Sequence, residues 1–110
     1  MMALFVGIDK DLIPYNFDIT LSERVYNIAV VYNETIDRFF VNLKLGDEIL
    51  IQGEKLTYGT VLFDQVSADS SGILDPRFPL EGITPYDLAK QETEVNFENL
   101  NETVFLWIFE

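Results

Sequence analysis

Residues 24–45, Arg-Val-Tyr-Asn-Ile-Ala-Val-Val-Tyr-Asn-Glu-Thr-Ile-Asp-Arg-Phe-Phe-Val-Asn-Leu-Lys-Leu, constrain the fold more than any other part of the chain. Tyr26, Ile28, Val30 and Tyr32 recur with a period of two, and Phe39, Val41, Leu43 and Leu45 continue that period beyond a polar gap. Successive side chains of a strand point to opposite faces, so the pattern predicts two β-strands, each with one apolar face, joined by a polar turn. Ala29 and Val31 stand opposite the tyrosines, which predicts a first strand covered on both faces and central in its sheet.

The flanking segments extend the same reading. The apolar start of the chain breaks at Asp9-Lys10-Asp11 and reads as a short strand, too short for a signal sequence with its cleavage site. After Pro14, Tyr15, Phe17, Ile19 and Leu21 alternate with Asn16, Asp18 and Thr20, a strand with one wet side, and Ser22-Glu23 turns the chain into the next. Gly46-Asp47 marks a further turn, and Glu48 to Gln52 a short strand with Ile49 and Ile51 on one face, ended by Gly53. Tyr58-Gly59 predicts a turn in which glycine supplies a positive φ, followed by a strand at Val61 to Phe63.

From Ser67 to about Lys90 the prolines at 76, 79 and 85 and the glycines at 72 and 82 predict a long, turn-rich connection. Within it Thr84-Pro85-Tyr86-Asp87-Leu88 has the order of N-cap, N1 proline and N3 acid, which predicts a helical turn near residues 84–89. Strands at 95–98 and 103–109 close the chain. The expected fold is all-β, a single-domain antiparallel β-barrel or β-sandwich spanning residues 1–110.

Composition narrows the function. Lys+Arg 7 against Asp+Glu 19 gives a net charge of −12, which repels phosphate backbones and disfavours direct nucleic-acid binding. Cysteine and histidine are both absent, so thiolate nucleophiles, Cys-type zinc sites and the commonest general base are excluded. No catalytic residue, cofactor or metal is expected. Asp69-Ser70-Ser71-Gly72 with Asp64 and Asp75 departs from the spacing of a calcium loop and reads as a solvated turn. The pairs Asp9/Asp11 and Glu92/Glu94 would share a strand face without forming an acid/base site, and the Asn-Glu-Thr triplets at 33–35 and 101–103 read as turns. The longest apolar stretch, Val104 to Phe109, is only strand-sized, so no membrane insertion is expected.

The hairpin at Tyr26 to Leu43, followed by Gly46, Leu50, Gly53, Leu56, Gly59 and Leu62, then Pro85-Tyr86-Asp87-Leu88 and a terminal apolar-aromatic strand, resembles the baseplate plug proteins of contractile-tailed bacteriophages, first named from a cyanophage. The resemblance runs from about Phe17 to Phe109 and rests on structural motifs. It departs from the family pattern at Phe40, where an aromatic with a polar handle is common, at Ala89 in place of a glycine, and over residues 67–82, whose register is hard to follow. It implies a non-enzymatic virion component at the distal tail tube and baseplate hub, made in the host cytoplasm, with tail tube and hub proteins as partners.

The last strand supplies the candidate contacts. Phe105, Trp107 and Phe109 share one face and Val104, Leu106 and Ile108 the other, so one set packs internally and one meets a partner. A lone tryptophan in such a strand is first read as core, with an interface anchor as the second reading. Tyr86, and Arg38 as an ion-pair partner across the sheet, complete the candidate interface. Two other classes fit parts of the sequence: an acidic DNA mimic that inhibits a nucleic-acid-binding enzyme, and a small carbohydrate-binding module using Tyr15, Tyr58, Tyr86 or Trp107 as a platform.

Overall fold

The computed structural model describes residues 4–63, 77, 79 and 81–109. Among these, seven strands form two antiparallel sheets. β2 (Tyr15–Leu21), β3 (Arg24–Asn33), β4 (Arg38–Leu45) and β5 (Glu48–Lys55) follow one another in a four-stranded meander. β1 (Leu4–Val6) and β6 (Gly82–Tyr86) flank β7 (Phe105–Phe109) in a three-stranded sheet. The two sheets share no strand and do not close on each other, so the architecture is a sandwich rather than a barrel. The solvated turn expected between Asp64 and Asp75 lies outside the described residues.

The alternation that predicts the hairpin is the alternation that builds the core. Tyr32 faces Phe39, Val30 faces Val41 and Ile28 faces Leu43 across the β3–β4 ladder, and all but the half-buried Tyr32 are removed from solvent. Val6, Ile83 and Leu106 close over them from the three-stranded sheet. Each such side chain contributes about 1.5–3 kcal/mol by leaving water. The other face of β3 is not covered by the described residues. Val25 and Val31 are 57% and 41% exposed, so β3 is interior by hydrogen bonding but buried on one side only.

β5 corrects the sequence reading twice. Lys44 pairs with Ile49 while its neighbour Leu43 pairs with Ile51, so β5 carries one extra residue here. This bulge turns Ile49 outward, 58% exposed, away from the face it was expected to share with the buried Ile51. A second irregularity surrounds Gly53, which adopts φ +74 and donates its N–H to Asn42 Oδ1 at 2.7 Å. Gly53 therefore bends the strand instead of ending it, and pairing resumes as far as Lys55.

The helical turn expected at residues 84–89 is a correction of a different kind. Residues 82–86 are strand β6, paired with β7 from Gly82↔Phe109 to Tyr86↔Phe105. The carbonyls of Ile83 and Pro85 point away from β7, accepting from Leu62 N and Gly59 N at 2.8 Å each. Pro85 thus occupies an outward amide position, where its missing N–H removes nothing from the ladder. The capping chemistry is displaced to Asp87, whose carboxylate accepts from the N–H groups of Ala89, Gln91 and Glu92 at 2.9–3.1 Å. Val61 to Phe63 likewise form no strand, and Leu62 N–H donates to the Ile83 carbonyl of β6 at 2.8 Å.

Residues 95–98, expected as a strand, lie in a looped segment held by a reciprocal pair of asparagines. Asn96 N–H donates to Asn99 Oδ1 and Asn99 N–H to Asn96 Oδ1, both at 2.9 Å. Side chains that satisfy the backbone locally compete with strand pairing, while Val95, Leu100 and Val104 anchor the loop in the core. Asp9 and Asp11 also leave strand geometry, since Asp9 caps the one turn of 3-10 helix at Lys10–Leu12. Both Asn-Glu-Thr triplets contain turns, the first ending β3 and the second preceding β7.

Candidate interaction surface

β7 is apolar on both faces, and the sandwich uses only one of them for its core. Leu106 is buried and Ile108 packs against the core, which leaves Phe105 and Trp107 on the outer face. Residues directly opposite in a sheet point to the same side, so the register adds neighbours to that face. Phe5 and Thr84 stand opposite Trp107 from either side, and Tyr86 stands opposite Phe105. Phe109 holds the register position paired with Gly82.

The rings contact one another edge to face. Phe5 lies 4.8 Å from Phe105 and 5.4 Å from Trp107, centroid to centroid, and Phe105 and Trp107 are 5.9 Å apart. Such pairs are favoured by the ring quadrupoles, each by about 0.5–1.5 kcal/mol beyond area burial. Trp107 Nε1–H donates to the Tyr86 carbonyl at 3.1 Å, which fixes the indole without presenting a polar edge to a ligand. Phe5 is 47% exposed and Trp107 half-buried, so the first reading of Trp107 as a core residue is corrected. Core formation selected Leu106 and Ile108 instead, and the aromatic set faces out.

Tyr86 stacks on Tyr58 with centroids 5.5 Å apart, and the Tyr58 hydroxyl accepts from Asp87 N–H at 3.1 Å. The Tyr15 hydroxyl accepts from Asp9 N–H at 2.9 Å. The polar ends of Tyr15, Tyr58 and Trp107 are therefore engaged within the protein, and Tyr15 stands on β2 in the other sheet from Tyr86 and Trp107. Burial alone would raise the Asp87 carboxyl, but its three backbone donors outweigh burial and hold it below the ordinary carboxylate range.

Arg38 is not brought to this face. It opens β4 in the other sheet, where its guanidinium donates to Glu94 Oε2 at 3.0 Å and to the Asp37 carbonyl at 2.8 Å. Arg38 does form an ion pair, but with Glu94 of the loop before β7 rather than across the sheet, so it ties the hairpin turn to that loop. Beside it Asp37 Oδ1 accepts from the Tyr32 hydroxyl at 2.6 Å and from Phe97 N–H at 3.0 Å. The Tyr32 hydrogen bond, then that of Phe97, lowers the Asp37 carboxyl, and the same bond pushes the Tyr32 phenol up to about 12. At the opposite turn Ser22 donates its N–H and hydroxyl to Glu81 at 2.8 and 2.6 Å. Burial would raise Glu81, yet these bonds prevail and lower it.

The sequence reading missed Phe5 as a member of the aromatic surface, and grouped Tyr58 with Tyr86 and Trp107 only as a sugar platform. β1 has only three residues, too few for a period to separate inner from outer side chains. Among the described residues no cluster of acidic side chains is arranged to hold a metal ion. What the surface offers among the described residues is a partly exposed aromatic face without a charged side chain.

Two comparisons bear on this. A family model described as Cyanophage baseplate Pam3 plug gp18 matches residues 5–110. No curated protein matches the chain.

Proposed function

The chain belongs to the cyanophage baseplate plug family, and from that membership we propose that it seats at the hub, against tail tube and hub proteins, through the outer face of its three-stranded sheet. It is a non-enzymatic structural protein of the phage tail, located in the baseplate of the virion. Residues 1–110 act as one domain, with Phe105, Trp107, Phe109 and Tyr86 as the contacts and Phe5 beside them. The observation that carries this reading is the uncharged aromatic face spread over β1, β6 and β7. Rings already held by edge-to-face contacts and by the Trp107 hydrogen bond lose little freedom on docking.

The test is made on purified tail particles. Electron microscopy should find the protein at the baseplate hub, and particles assembled with the Phe105→Ser/Trp107→Ser variant should lose it while retaining the other tail proteins. A double variant incorporated as fully as the unchanged chain would remove this face from the interface.

A further inference from the structure

The register of the three-stranded sheet places one end of the aromatic face beside a concentration of carboxylates. Val6 pairs with Leu106, so β1 leaves the sheet at Gly7, next to the point where β7 enters it. From that end the chain runs to Asp9 and Asp11 on one side and back to Glu102 on the other. Those three line an open groove of about 650 Å³, and Glu102 is shared with a second groove of about 420 Å³ lined by Glu92 and Glu98. One cation, Lys10, lines the first groove. Its ammonium is directed to the Phe97 carbonyl at 2.7 Å and lies 4.0 Å from Glu102. It cannot offset the field of five carboxylates.

We propose that the protein seated on the aromatic face presents an apolar strip flanked on one side by lysine or arginine. The strip covers Phe5, Phe105 and Trp107, and the cations reach the carboxylates at the Phe105 end. The inference rests on the reading that the aromatic face is the docking surface, and it adds the chemistry of the occupant. Charge complementarity selects this partner over a second copy of the chain, because two molecules of net charge −12 repel. The apolar centre supplies hold, and the acidic end supplies orientation and partner choice.

The experiment measures binding of the full chain to purified tail particles assembled without it. Raising NaCl from about 0.05 to about 0.5 M shortens the reach of exposed charges, and binding should weaken roughly tenfold or more. The Glu98→Lys/Glu102→Lys variant should weaken it by a similar factor at low salt, Asp18→Lys on the other sheet should not, and Trp107→Ser should cost roughly thirtyfold. Circular dichroism confirms that each variant is folded. Binding that ignores both salt and the Glu98/Glu102 reversal but is lost with Trp107→Ser overturns the basic flank and leaves the docking face standing. Binding that survives Trp107→Ser removes the docking face, and the inference with it. A Trp107-dependent dimer of the isolated chain in sedimentation would also overturn the proposal.

Discussion

Asp37 shows how much of this fold depends on single carboxylates. Its Oδ1 receives one donor from β3 and another from the loop before β7, joining segments far apart in sequence. Asp37→Asn weakens both acceptor contacts. Alkaline difference absorbance should then show the late-titrating Tyr32 moving from about 12 back toward the ordinary 10.0, and a phenol left where it was would mean that Asp37 is not its partner. Asp37, Glu81 and Asp87 all have carboxyls lowered by folding. The native state therefore binds protons less readily than the unfolded one. Their contribution is complete above the unfolded carboxylate values near pH 4 and is lost as pH falls through the lowered ones. Melting temperature should be level above roughly pH 5 and decline below about pH 4. A level melting curve across that range would contradict the three assignments.

At the scale of elements, the turn between β2 and β3 is built from residues ill suited to it. Ser22 and Glu23 both adopt positive φ, 52° and 64°, where side chains crowd the backbone. Ser22 is retained by its bonds to Glu81, whereas Glu23 is exposed. Glu23→Gly should stabilise the protein by about 0.5–1 kcal/mol in denaturant unfolding, since relief at φ 64° exceeds the added freedom of the unfolded chain. A loss of stability would show that Glu23 makes a contact outweighing its strain. The β2–β3–β4 meander was legible in sequence because one-sided burial imposes a strict period on it. β6 was not, because Thr84-Pro85 and Asp87 carry genuine helix-start chemistry. What overrides it is the second edge of β7, a partner far away in sequence. The same limit hid the aromatic surface. The alternation of β7 was readable, but which face becomes core depends on where the other sheet lies.

For the molecule as a whole, the two faces of β7 should separate stability from assembly. Leu106→Ala opens a cavity beneath the sheet and should cost about 2–5 kcal/mol. Phe105→Ser removes only outer ring contacts and should cost roughly 1 kcal/mol. In tail particles the order should reverse, with Phe105→Ser poorly incorporated although well folded, and Leu106→Ala incorporated to the extent that it remains native. Equal unfolding midpoints for the two variants would show that inside and outside have been assigned wrongly. The covered flank of β6 has one more consequence. Because Leu62 and Gly59 already occupy the outward carbonyls of Ile83 and Pro85, and Pro85 offers no amide there, that margin gives a stray strand few groups to zip onto. Side-by-side alignment of copies into ribbons is thereby disfavoured along this border.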